Sequence, residues 1–319
     1  MKDTPPPPRG KGVLVIPALS IALILLLAAS WLIAGDLVAR MPALVVAAGR
    51  TGTAFVALTA IAMLNPARRP AVRVAASRPG AVALLGLLGF FGYYAGTMIG
   101  TGMIGASRIG LITSLLPCIT FAIGAVAFQE PVTRLRVAGT ILAMIGACGY
   151  VLADGRPHGP GSQGGLSMML GGALLGFAGT ASYALYGYVF RGRMGHLPAM
   201  SALPAITGAG TIMLGAAALL FAPLGAIASR DWAELAILGA LFTAPVFILL
   251  HELILRKGPL FTAGLSLTVP FVLRMGGWAV GQQGAPGWIV LALLASCAAG
   301  VWLVIRQPRT PAKIVRRER

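Results

Sequence analysis

Six residues recur in the same order at one fixed spacing. Gly86, Gly105, Thr113, Pro117, Gln129 and Glu130 are matched by Gly239, Gly258, Ser266, Pro270, Gln282 and Gln283, each 153 residues further along and without a gap. An ungapped offset of this kind marks a duplicated unit. Each copy holds an odd number of apolar spans, so the second copy must enter a bilayer from the opposite side. The chain is thereby restricted to two related halves of inverted orientation.

Composition fixes the solvent in which that unit folds. Hydrophobic residues make up 57% of the 319 and charged residues only 10%, against about a quarter charged in an ordinary soluble domain. Ten segments of about 20 residues suit a hydrocarbon core roughly 30 Å thick: 14–34, 43–63, 82–102, 107–127, 135–154, 167–189, 199–220, 235–254, 260–280 and 287–305. The expected fold is an all-α integral membrane protein. Its ten transmembrane helices form two inverted five-helix repeats around a central cavity. Residues 1–13, with four consecutive prolines at Pro5 to Pro8, read as a disordered cytoplasmic tail. The first repeat is assigned to 14–155, the second to 164–306, and a basic cytoplasmic tail to 307–319.

A net charge of +17 would point to nucleic acid in a soluble protein, so its placement matters. With the N-terminus inside, 19 of the 25 Lys and Arg residues are cytoplasmic; Arg40, Arg108, Arg156 and Arg230 are external, and Arg50 and Arg274 lie within spans. The positive-inside rule accounts for the charge, and no soluble basic face with interleaved aromatics remains for nucleic acid. The tail from Arg306 to Arg319 is placed against anionic lipid headgroups. Arg9 and Lys11 before the first apolar run resemble a signal peptide, but the run is long and further spans follow, so it reads as an uncleaved helix. Arg outnumbers Lys 21 to 4, which together with abundant Ala and Gly points to a GC-rich bacterium and its inner membrane.

Enzymatic chemistry finds little purchase. The longest extramembrane connection, near Asp154 to Gly161, is too short to house a catalytic or nucleotide-binding domain, and no P-loop occurs. His251-Glu252 starts a zinc-protease motif, but the fifth residue is Leu255, so the motif fails. Cys118, Cys148 and Cys297 fall inside spans without metal spacing and read as packing residues. No cofactor or metal is expected.

The candidate site residues come from the cost of charge in lipid. An arginine at a helix centre costs about 2.5–3.5 kcal/mol on insertion scales, so Arg50 and Arg274 should face protein or water. Phe271, Arg274 and Trp278 share a helical face by their spacing of three and four. Aromatic rings beside a guanidinium suit a ligand with a carboxylate and an apolar body; the alternative is a snorkelling Arg274. Arg50 is read as pairing structurally with Asp36 or as lining the cavity. Tyr183, Tyr186 and Phe190 form a stripe that either packs or lines a cavity wall. Tyr183 falls near the repeat equivalent of Trp31. Gly92, Gly96 and Gly100 predict close helix packing. Pro117 and Pro270 interrupt symmetry-related helices, as transporter sites often do, or set static kinks. Glu130 near Arg134, and Glu252 four residues before Arg256, read as interfacial ion pairs.

In this order and spacing the residues resemble the drug/metabolite transporter superfamily, specifically its EamA-type members, over about 14–306. The resemblance rests on Trp31, Pro42, Arg50, Pro117, Glu130, Gly139 and Gly146, and in the second half on Arg256-Lys257-Gly258-Pro259 and Pro270. The chain departs from the family where Gln283 replaces a common acid and Leu32 a common glycine. The resemblance implies a ten-helix basket with both termini cytoplasmic and a cavity between the repeats. It also implies export or exchange of small metabolites, with amino acids a common class. The expected partners are therefore a small-molecule substrate and membrane lipid. The sequence sets no oligomeric state. Alternatives from other classes are a membrane-embedded enzyme, which lacks a convergent nucleophile, base or metal set here, and a nontransporting membrane interaction protein.

Overall fold

The computed structural model describes residues 15–104, 109, 112–113, 115–130, 132–153, 166–223, 228–279 and 285–305. Every described element is helical, as a chain must be when lipid cannot satisfy its backbone polar groups. Helix α1 (Val15–Arg40) stops before Pro42, which restricts Met41 and offers no N–H, and α2 (Ala43–Leu64) ends at Asn65 before Pro66. A short amphipathic helix α3 (Arg69–Ala76) follows in what the sequence reads as a loop; Val72 and Ala75 are buried while Arg69 and Arg73 are exposed. Next come α4 (Pro79–Ile104), α5 (Leu116–Ala127), α6 (Arg134–Ala153), α7 (Leu166–Met194), α8 (Ala199–Phe221) and α9 (Ser229–Lys257). The chain ends in α10 (Pro259–Ser266), α11 (Val269–Ala279) and α12 (Trp288–Ile305).

Among the described residues six helices, α1, α2, α4, α7, α8 and α9, are long and apolar enough to span a bilayer, and α5 and α12 are shorter apolar helices. The ninth expected span is divided into α10 and α11 at Leu267 and Thr268. The fourth is described as a continuous helix only from Leu116. Gly105, Gln282 and Gln283 of the repeat pattern, the Asp154–Gly165 connection and both tails lie outside the described residues. Leu64, Val126, Leu174, Ile212 and Phe221 remain exposed, which suits a surface bathed in lipid.

The helices pack as a two-fold exchange of the halves requires. Equivalent helices α2 and α8 cross antiparallel: Gly52 lies against Thr211 and Gly208 against Phe55. Equivalents α6 and α12 also run antiparallel, with Gly149 against Leu293, Gly146 against Cys297 and Gly300 against Gly139 and Ala143. The α4–α7 junction has its counterpart in α9 against α1, and α5–α7 in α11 against α1. Along α7, Tyr183 meets Leu116 and Tyr188 meets Thr120, so α5 runs in the same sense as α7. Gly187 lies on Pro259 while Tyr183 packs beside Ala263, so α10 runs opposite to α5.

Two features beyond simple helices recur with the repeat. Both α4 and α9 contain a π-helical turn, Leu87–Gly92 and Leu238–Thr243, the kind of bulge that often marks functional positions. Just beside or within these turns, Gly86 backs onto Ala209 and Gly210 of α8, and Gly239 onto Arg50 and Thr53 of α2. The duplicated glycine thus makes the same contact twice, each time on the middle of the other half's second helix. The close glycine packing expected on the third span is also present: Gly92, Gly96 and Gly100 of α4 lie against Ser182, Gly179 and Gly172 of α7.

Candidate functional site

Arg50 is the buried charge around which the centre of the molecule is organised. It sits mid-α2 and is 7% exposed. Its Nη2 donates to Ser30 Oγ of α1 at 2.9 Å and to Thr243 Oγ1 of α9 at 3.3 Å. Thr243 closes the π-helical turn and passes its own proton to the Leu238 carbonyl at 2.8 Å, so the bulge in α9 delivers the acceptor that Arg50 uses. The guanidinium lies 5.1 Å over the Tyr94 ring, a cation–π distance. Its Nε is buried without a hydrogen-bond partner. Among the described residues no carboxylate pairs with Arg50.

The expected Asp36–Arg50 pair does not form. Asp36 lies six residues past Ser30 on α1, roughly 9 Å along the axis, and its carboxylate pairs with Arg40 at 2.7 Å. Arg40 in turn pairs with Asp231 and, at 2.6 Å, with Glu234. Those partners hold the Arg40 guanidinium above its ordinary pKa, with the Glu234 hydrogen bond the largest cause. Arg50 is left to neutral hydroxyls and an aromatic face.

From Arg50 a row of rings leads to a small cavity. Tyr94 and Tyr93 stand 5.2 Å apart, Tyr93 and Tyr183 4.7 Å, Tyr183 and Tyr186 5.8 Å, and Tyr186 and Phe190 5.9 Å. The α7 stripe read from the sequence is therefore real and continues into α4. The cavity, about 20 Å³ and so room for about one water, lies where α5, α7, α9 and α10 meet. Thr120, Tyr183, Tyr186, Thr262 and Ser266 are among its lining residues, and the Thr120 hydroxyl is buried without a partner.

Behind the row stands a residue that the sequence reading considered only as a failed zinc motif. His251 is 1% exposed. Its Nδ1 faces the Phe247 carbonyl, which only accepts, so Nδ1 carries the proton and Nε2 accepts from the Tyr186 hydroxyl. Phe190 meets the imidazole edge-on at 4.6 Å. The sequence signal for it lies in the span 235–254, since an intramembrane histidine is a functional candidate by default.

The other expected residues are dispersed. Trp31 is partly buried and packs against the core beside Ser30. Phe271 is buried and Trp278 is 45% exposed, so these two occupy different environments despite sharing a helical face. The Arg274 side chain lies outside the described residues. Glu130 pairs at 4.0 Å with Arg191 of α7 rather than with its sequence neighbour Arg134, and accepts from Tyr188 at 3.3 Å. Glu252 and Arg256 form the expected pair at 2.6 Å.

Among the described residues, a polar, arginine-centred core inside helices whose exterior is apolar defines a multi-pass membrane protein. Residues 13–152 are similar to the EamA-like transporter family, whose model they match. A solved crystal structure of a protein is 17% identical and superposes with a TM-score of 0.75 over 91% of this chain and 96% of its own; at that identity the likeness is one of fold. No curated protein sequence matches the chain.

Proposed function

We propose that the protein is a secondary transporter that exports or exchanges small carboxylate-bearing metabolites such as amino acids across a bacterial cytoplasmic membrane. Arg50 anchors the carboxylate, and the row Tyr94, Tyr93, Tyr183 and Tyr186 receives the apolar body. Trp31, beside Ser30, and the α11 residues Phe271, Arg274 and Trp278 complete the lining in a more open conformation. The observation that carries this reading is the buried Arg50 guanidinium with an unpartnered Nε and, among the described residues, no carboxylate paired with it. A buried cation left with neutral partners is costly, and an incoming carboxylate supplies the missing charge through a fork that guanidinium geometry favours.

The reading includes two five-helix halves, 14–155 and 164–306, with ten crossings and both termini cytoplasmic. Membrane lipid is the other expected partner. Flux of a labelled metabolite panel through purified protein in liposomes, with and without a proton gradient, tests the proposal. Saturable counterflow of one or more amino acids is expected. Equal flux in protein-containing and empty liposomes across the panel overturns it.

A further inference from the structure

The two ends of the molecule are built from equivalent positions that carry unlike charge. At one end Arg40 at the close of α1 is tied to Asp231 and Glu234 in the first turns of α9, and Arg230 joins Glu234 at 2.8 Å. Displaced by the repeat offset of 153, Arg40 falls on Arg193, Asp231 on Arg78 and Glu234 on Ala81. These residues meet at the opposite end, where α7 closes and α4 begins. That the ends are opposite follows from α9, which carries Asp231 in its first turn and ends at Lys257, next to Gly258, which lies beside Arg191.

Among the described residues no acid lines the equivalent junction; Glu130 pairs with Arg191 of α7 at 4.0 Å. Arg78 Nη1 donates to the Arg193 carbonyl at 3.3 Å, and an open cavity of about 480 Å³ is lined by Arg78, Ala81, Gly192, Arg193 and His196. Among the described residues neither Arg78 nor Arg193 forms an ion pair. Arg78 directly precedes the first turn of α4, whose unpaired N–H groups add positive potential. One end of the molecule thus carries three carboxylates, Asp36, Asp231 and Glu234, on Arg40, with Arg230 beside them. The symmetry-related end carries two arginines, a histidine and a helix N-terminus around a solvent-open depression.

We propose that this cavity binds a phosphate-class oxyanion bridging Arg78 and Arg193, so that a ligand does for α4 and α7 what Asp231 and Glu234 do for α1 and α9. Guanidinium forks match phosphate oxygens, and the charge distribution of the chain assigns this end to the cytoplasmic leaflet, where anionic headgroups concentrate. The phosphate comes from an anionic lipid or from solution. The inference is independent of which metabolite is transported.

Thermal unfolding of the purified full chain in zwitterionic detergent tests it, with phosphatidylglycerol, phosphatidylcholine or inorganic phosphate added. Phosphatidylglycerol is expected to raise the unfolding midpoint while phosphatidylcholine does not; an equal rise with inorganic phosphate identifies a free-anion site, and no rise with it a lipid site. The double variant Arg78→Gln/Arg193→Gln should lose most of the shift. Ala81→Glu, which supplies in cis the carboxylate that Glu234 supplies at the other end, should raise the midpoint without additive and blunt the response. The proposal is overturned if neither anion shifts the wild type, if the double variant responds as fully as wild type, or if Ala81→Glu leaves both midpoint and response unchanged.

Discussion

In sequence Arg50 and Arg274 are both intramembrane cations, but only Arg274 has aromatics, Phe271 and Trp278, on its helical face, and Arg50 reads as pairing with Asp36. What marks Arg50 is what other helices bring to it, and only tertiary packing reveals that. Ser30, Tyr94 and Thr243 come to Arg50 from three different helices, so no local pattern around it announces the site. By contrast the Tyr183–Tyr186–Phe190 stripe is carried by one helix and was legible from spacing alone. His251 was missed because its partner Tyr186 is 65 residues away. Its role in packing is testable: Tyr186→Phe keeps the ring but leaves His251 Nε2 a buried acceptor without its donor. An unsatisfied buried acceptor costs about 1–3 kcal/mol. A lowered midpoint in thermal unfolding is therefore expected, and an unchanged one would mean that the Tyr186–His251 hydrogen bond adds nothing.

Among the elements, hydropathy located the helices well where each crosses as a single unbroken unit. It did less well where the helix is modified. Neither π-helical turn has a sequence signature, yet each coincides with or abuts one member of the duplicated glycine pair, and the pairing explains why glycine stands there. A Cβ at Gly239 would fall 2.6 Å from the Arg50 carbonyl oxygen and run into the Thr53 side chain. Gly239→Ala should therefore cost about 1–3 kcal/mol through overpacking, whereas Gly215→Ala, with nothing within 4 Å, should be neutral or slightly stabilising. Comparing the two unfolding midpoints decides whether the glycine is required by contact or merely tolerated. The split of the ninth expected span at Leu267 and Thr268 was equally invisible, because an apolar run reads the same whether or not its helix is continuous.

For the whole molecule, the ungapped offset was the most productive reading, since it anticipated antiparallel crossings of α2 with α8 and of α6 with α12. It could not show that the two ends differ, because that asymmetry resides in which charges face each other across helix junctions. The Arg40 network is partly exposed, so its contribution should be salt-sensitive. Arg40→Gln is expected to lower the unfolding midpoint at low ionic strength, with the difference vanishing near ~1 M salt, where the Debye length is about 3 Å. A difference that persists at high salt would assign Arg40 a packing role instead. The proposed topology has both termini on the basic, cytoplasmic side. A cysteine introduced near Arg316 should resist impermeant reagents in intact cells, and its labelling from outside would reverse the orientation.

The central claim is that Arg50 holds the carboxylate of the transported metabolite. With a substrate in hand from the liposome panel, the decisive measurement is its apparent affinity and flux in wild type, Arg50→Lys and Arg50→Gln at matched, folded protein levels. Lysine keeps the charge but loses the planar fork, and glutamine loses both. The account predicts a graded loss, with Arg50→Lys impaired and Arg50→Gln close to the empty-liposome background. Wild-type affinity and flux in a well-folded Arg50→Gln would contradict it.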